Sequence, residues 1–127
     1  MSSLKVLITG GSGLLGQFLN KELSEHFDVL TTFNGHIGTC DKYNSAKIDL
    51  TNFDLLTQLF ESFNPNVVVH AAAISNPTAA MSLPAKKVFN VNVIATERLA
   101  QLCERHSAKL IYLSTDLVYA GYRGSML

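Results

Sequence analysis

The chain alternates short apolar runs with longer segments whose apolar residues recur at helical spacing. Leu4-Lys5-Val6-Leu7-Ile8-Thr9 is a compact run ending in glycines, and it predicts a buried strand over 4–9. Over 13–26, Leu15, Phe18, Leu19 and Leu23 fall on one helical face and Gln17, Asn20, Lys21, Glu22 and Glu25 on the other, so an amphipathic helix divided in that way is expected. A second strand follows over 28–33, then a polar loop over 34–44 and a short third strand over 47–50. Asn52 or Thr51 can cap a helix over 53–63, whose apolar face is Leu55, Leu56, Leu59, Phe60 and Phe63, and Asn64-Pro65 stops it. Val67-Val68-Val69-His70-Ala71 is apolar throughout, as a strand covered on both faces must be. A loop with Pro77 and Pro84 leads to a long helix over 85–106 that turns Val88, Ala95, Leu99 and Leu102 inward, and a fifth strand runs over 109–114. The tail from Thr115 to Leu127 shows no periodicity.

Strands and helices alternate from end to end. That predicts an α/β fold: a doubly wound parallel sheet of five strands in the order 3-2-1-4-5, with right-handed crossovers and helices on both faces. The 127 residues suffice for one domain and not for two. The apolar fifth strand would form one edge of this sheet. An edge of that kind is a template for pairing, so self-association into a homo-oligomer is an expectation.

Composition narrows the partners. At 47% hydrophobic and 16% charged the chain is an ordinary globular sequence, and ten basic against ten acidic residues leave no excess to draw a nucleic acid or a membrane surface. No apolar stretch approaches the roughly 20 residues of a membrane helix. Cys40 and Cys103 lie far apart and read as free thiols of a reducing compartment, so a cytoplasmic location is expected. His26, His36, His70 and His106 form no metal-ligand spacing, and no metal is expected.

The chemistry sits first in Thr9-Gly10-Gly11-Ser12-Gly13-Leu14-Leu15-Gly16, between the first strand and the first helix. Glycine allows the sharp turn and lets a phosphate approach bare backbone, while the helix start offers N–H groups and a favourable dipole. Gly16 is expected to let the helix pack close to the sheet. Small residues at Ala71, Ala72 and Ala73 would let a cofactor lie against the fourth strand's end, or would serve helix–sheet packing. Asn92 falls on the inward face of the long helix, where a buried amide needs partners.

The spacing G-x-x-G-x-x-G, in the form Thr-Gly-x-x-Gly-x-Leu-Gly, resembles the fingerprint of the extended short-chain dehydrogenases/reductases. Asp49-Leu50, His70-Ala71-Ala72-Ala73 and Ser114-Thr115-Asp116-Leu117-Val118-Tyr119-Ala120-Gly121 match further stations in order, and the last block is similar to that of dTDP-4-dehydrorhamnose reductases. The resemblance implies a nicotinamide dinucleotide held by Gly10, Ser12, Gly13, Leu14, Leu15, Gly16, Asn34, Asp49, Leu50, Ala71, Ala72, Ala73 and Asn92. Asp49 would contact the adenine amino group, or would only cap the following turn. Thr115 would hold the substrate carbonyl as the catalytic hydroxyl, with Ser75 and Asp116 beside a nucleotide-activated 4-keto sugar. The second strand ends in Thr32-Phe33-Asn34 without an acid to bind a ribose hydroxyl. With His36 and Lys42 near, this leans to NADP over NAD.

The family's Tyr-x-x-x-Lys is expected after Thr115 and does not occur before Leu127. Tyr43 and Lys47 have the spacing but precede the third strand. Tyr119 and Arg123 follow Thr115 too closely, and Arg does not replace Lys. The expectation is therefore an incomplete dinucleotide-binding domain, residues 1–127, lacking the substrate-binding part and inactive alone. The resemblance leaves three parents open: an NAD(P)H-dependent 4-keto-sugar reductase, a sugar-nucleotide epimerase or dehydratase, and a non-catalytic regulatory subunit like the methionine adenosyltransferase β subunit.

Overall fold

Residues 4–71 and 93–112 are described by a computed structural model. Five strands, β1 (Lys5–Thr9), β2 (Asp28–Phe33), β3 (Ser45–Lys47), β4 (Val67–His70) and β5 (Lys109–Tyr112), form one sheet in the order β3-β2-β1-β4-β5. Every neighbouring pair is parallel, with Leu7 facing Leu30 on one side and Val68 on the other. The doubly wound sheet and its strand order are those expected from the alternation of elements.

Alternation along the strands sends side chains to two faces. Leu7, Leu30 and Val68 meet Leu56 and Phe60 of α2 (Phe53–Phe63) and Ala95, Leu99, Leu102 and Cys103 of α3 (Ala95–Arg105). Val6, Ile8, Val29 and Val69 meet α1 (Leu14–Ser24) and the turn after it, through Leu19, Leu23 and Phe27. The α2 start is fixed by Asn52, whose Oδ1 accepts from the Leu55 N–H at 3.2 Å, and its end by Asn64 in the left-handed region at φ 53°. Arg98 of α3 lies 4.9 Å from the centre of the Phe53 ring and donates to the Thr51 carbonyl at 3.3 Å, tying α3 to the start of α2.

Three expectations are corrected. The third strand is Ser45–Lys47, not 47–50. Ile48 and Leu50 do alternate, but they drop into the core after the strand has ended, and Asp49 between them starts a turn. The inward face of α1 is also rotated. Phe18 is 61% exposed and Leu15 is exposed, whereas Asn20, assigned to the polar face, is 0% exposed. Leu55, finally, lies outside the core of α2 and is exposed. The early part of the long helix, 85–92, and the strand residues Leu113 and Ser114 lie outside the described residues.

Candidate functional site

Because all five strands are parallel, their carboxyl ends share one edge of the sheet. Gly10 follows β1, Asn34 follows β2, Asp49 and Leu50 come just after β3, and Ala71 follows β4, so the described candidate residues are gathered along that edge. Open α/β sheets bind ligands there, where the strand order reverses between β1 and β4.

The loop from β1 to α1 is built by close approach. Gly10 takes a positive φ of 74°. A Cβ at Gly11 would overlap the Thr31 Oγ1, and one at Gly16 would overlap the Gly10 carbonyl and come within 2.7 Å of the Gly11 Cα. The tight packing at Gly16 is therefore against the loop itself, a correction to the helix–sheet contact expected from the sequence. Gly13 differs: its Cβ would meet only the Gly10 carbonyl oxygen at 3.5 Å, and the residue is exposed. Gly13 is the N-cap of α1, no side chain caps the helix, and no acidic residue lies in its first turn. The first-turn N–H groups of an α-helix have no intrahelical acceptor. A pyrophosphate fits this bare, positively polarised cradle.

The loop after β2 closes beside it. A Cβ at Gly38 would lie 3.2 Å from the Ser12 Cβ, so this loop packs on the glycine loop. Asn34 and His36 are exposed there, as is Lys42 in the short helical turn Cys40–Lys42. Cys40 is buried beneath the glycine loop, and burial raises its thiol pKa against an opposing hydrogen bond from the Asn20 amide at 3.9 Å. Burial likewise pushes Cys103 up to about 11, so both thiols are protonated packing groups.

At the other stations, the Asp49 Oδ1 accepts from the Thr51 N–H at 2.9 Å and from the Thr51 hydroxyl at 2.7 Å, which is turn-capping geometry. The Leu50 side chain belongs to the core. The Ala71 N–H donates to the Thr9 Oγ1 at 3.0 Å. That hydroxyl is also 2.7 Å from the Nδ1 of His70, whose Nε2 is 2.9 Å from the Thr96 Oγ1. The Tyr112 ring lies 5.4 Å from the imidazole. Burial lowers the His70 pKa to about 4, so the ring is neutral and carries one proton. One threonine therefore donates to it and the other accepts. Sequence reasoning saw His70 only as part of a motif; Thr9 at the same edge was the available signal for this network.

Ala72, Ala73, Ser75, Asn92, Thr115 and Asp116 lie outside the described residues. Among the described residues no cluster of His, Cys, Asp or Glu could hold a metal ion, and no helix is long and apolar enough to cross a membrane.

A parallel sheet in this order, with a glycine loop opening its first helix, is the dinucleotide-binding Rossmann fold. Residues 4–126 match the family described as the RmlD substrate binding domain, and the chain belongs to that family. It is 32% identical over 121 residues to a dTDP-4-dehydrorhamnose reductase of Aggregatibacter actinomycetemcomitans, covering 94% of this chain and 37% of that protein. It is 34% identical over 124 residues to methionine adenosyltransferase 2 subunit beta of Xenopus laevis, covering 94% of this chain and 34% of that protein. The chain thus spans little more than a third of the length of these curated relatives. Among solved structures it is similar to a hypothetical dTDP-4-dehydrorhamnose reductase from Sulfolobus tokodaii, with a TM-score of 0.80 and 28% identity over 95% of this chain and 42% of that one. It is also similar to the Bordetella bronchiseptica enzyme WbmG in complex with NAD, with a TM-score of 0.71 and 27% identity over 87% of this chain and 37% of that one.

Proposed function

We propose that this chain is the cofactor-binding half of an NAD(P)H-dependent reductase acting on a nucleotide-activated 4-keto sugar of the dTDP-4-dehydrorhamnose type. The supporting observation is the open cradle at Gly13 and the α1 start, in a chain 32% identical to a dTDP-4-dehydrorhamnose reductase. Gly10, Ser12, Gly13, Leu14, Leu15 and Gly16 would bind the pyrophosphate through the backbone. Asn34 would meet the adenosine ribose, Asp49 and Leu50 the adenine side, and Ala71, Ala72, Ala73 and Asn92 the nicotinamide half. A bound nicotinamide would supply hydride. The Thr115 hydroxyl would hold the substrate carbonyl, with Ser75 and Asp116 lining the sugar side. The proton donor of a Tyr-x-x-x-Lys pair would come from the rest of the protein. The absence of a carboxylate directly after β2, with His36 and Lys42 exposed nearby, favours NADP(H) over NAD(H).

Calorimetric titration with NADPH and NADH tests the cofactor, and loss of NAD(P)H absorbance with a dTDP-4-keto-6-deoxy sugar tests the reaction in the full-length protein. Tighter binding of NADPH and sugar-dependent turnover are expected. Absence of dinucleotide binding would overturn the proposal. A second reading, a non-catalytic regulatory subunit, draws on the 34% identity to methionine adenosyltransferase 2 subunit beta. It predicts dinucleotide binding without turnover, and no Tyr-x-x-x-Lys in the full-length sequence.

A further inference from the structure

Three consecutive carbonyls of the glycine loop are each engaged by a donor from the loop or α1. The Gly13 N–H donates to the Gly10 carbonyl at 3.1 Å. The Asn20 Nδ2 donates to the Gly11 carbonyl at 3.0 Å, and the Gln17 Nε2 to the Ser12 carbonyl at 2.9 Å. Gln17 and Asn20 are three residues apart on α1, so one face of the helix returns both amides to the loop.

A trans peptide plane holds its N–H opposite its carbonyl. The Gly11–Ser12 plane is held at its carbonyl by Asn20, which aims the Ser12 N–H away from that amide. The Ser12–Gly13 plane is held at both ends, by Gln17 at its carbonyl and by the Gly10 carbonyl at its N–H. The carbonyl dipoles, which would repel an anion, are thus tied off, and the donors of the α1 start face the cradle.

Asn20 is a costly residue to bury here, even with its amide nitrogen bonded to the Gly11 carbonyl and the Cys40 thiol. It is 0% exposed, and its Oδ1 has no donor among the described residues. Burying a half-satisfied amide is unfavourable, while apolar Leu19 and Leu23 pack on the same side of the sheet. Its amide nitrogen serves the Gly11 carbonyl at 3.0 Å and also lies 3.9 Å from the Sγ of Cys40 beneath the loop.

We infer that Gln17 and Asn20 are positioning residues that hold the glycine-loop carbonyls away from the phosphates of the dinucleotide, an inference that rests on the proposed cofactor role. The test is calorimetric titration of NADPH and NADH into the protein and its Gln17→Met, Asn20→Leu, Asn20→Asp and Gly13→Val variants, with the melting temperature of each ligand-free form. Gln17→Met and Asn20→Leu keep shape and remove the donor, and each is expected to weaken binding roughly five- to tenfold without a matching fall in melting temperature. Asn20→Asp supplies the sharper readout. Its protonated carboxyl can donate to the Gly11 carbonyl and its carboxylate cannot, and burial raises that pKa. Its affinity relative to wild type is therefore expected to rise as pH falls. This profile, with Gln17→Met, decides the matter even where Asn20→Leu does not fold. Wild-type affinity in Gln17→Met and Asn20→Leu, with binding abolished in Gly13→Val, would overturn the carbonyl clamp and leave the dinucleotide site standing. So would a pH-independent loss in Asn20→Asp. A wild-type protein that binds no dinucleotide, or a Gly13→Val variant that binds normally, would overturn site and clamp together.

Discussion

The two faces of the sheet are closed by different means. On the α2–α3 face large side chains interlock: Leu56, Phe60, Leu99 and Leu102 pack on Leu7, Leu30 and Val68. Among the described residues the buried apolar set on the α1 face is smaller, Val6, Ile8, Val29 and Val69, and the helix itself fully buries only Gly16 and Asn20. There the backbone approaches through glycine, and amide hydrogen bonds set the geometry. The first face is built to be stable. The second holds a loop in a shape that serves the ligand, and it gives up apolar area to do so.

The largest separation of the two should come from Phe60→Ala. Phe60 is fully buried in the α2–α3 cluster, and truncation of such a side chain costs about 3–5 kcal/mol. Denaturant unfolding should show that loss, while the fraction that remains folded binds NADPH with unchanged affinity. A weakened affinity of the folded fraction would mean the two faces are not separable.

The converse comes from Gly13→Val. Its Cβ meets only the Gly10 carbonyl oxygen, at an ordinary contact distance of 3.5 Å, so the ligand-free melting temperature should stay near wild type while dinucleotide affinity falls by on the order of a hundredfold or more, because the side chain occupies the phosphate position. Gly16→Ala should behave otherwise, losing stability and affinity together, since its Cβ overlaps the Gly10 carbonyl. Similar melting temperatures for the two variants would contradict the inward and outward roles assigned to these glycines.

His70 lies on the α2–α3 face, two residues after Val68, and bonds to Thr9 on β1 and Thr96 on α3. Its folded pKa of about 4 lies below the ordinary 6.5, so between these values the unfolded chain binds a proton that the native ring refuses. The stabilisation is present in full above pH 6.5 and is lost as pH falls towards 4, by on the order of 2–3 kcal/mol. His70→Gln should flatten that part of the stability-against-pH curve. An unchanged slope would assign the acid sensitivity to other groups.

Much of the fold was legible because the α2–α3 face obeys simple periodicity. Leu56, Phe60, Leu99 and Leu102 were all placed correctly by spacing alone, and Asn52 announced the start of α2. The glycine loop was legible as a motif, but its mechanics were not. Gly11, whose Cβ would overlap Thr31, lies between the motif glycines and carries no spacing signal. Asn20 and Phe18 were exchanged in the helical division because hydrophobicity assigns an amide outward and a phenyl ring inward. That rule fails where a helix is drawn against its own N-terminal loop and a polar side chain must bond to backbone. Asp49 misled in the opposite sense: the apolar neighbours Ile48 and Leu50 gave it a strand's alternation, when its carboxylate starts a turn.

The smallest expected effect is also the most direct test of that exchange. Phe18 is 61% exposed, one helical turn from Leu14, which is 91% exposed, and neither belongs to a buried cluster. A Phe18→Gln substitution keeps good helix propensity and removes little buried surface, so its effect on unfolding free energy should stay within about 0.5 kcal/mol. Leu19→Ala, one position along, removes a side chain packed against Val6, Ile8, Val29 and Val69 and should cost clearly more. If denaturant unfolding reversed this order, Phe18 would be the inward residue that helical periodicity made it. Asn20 would then lie towards solvent, and the contrast between an interlocked face and a hydrogen-bonded one would fail at its central residue.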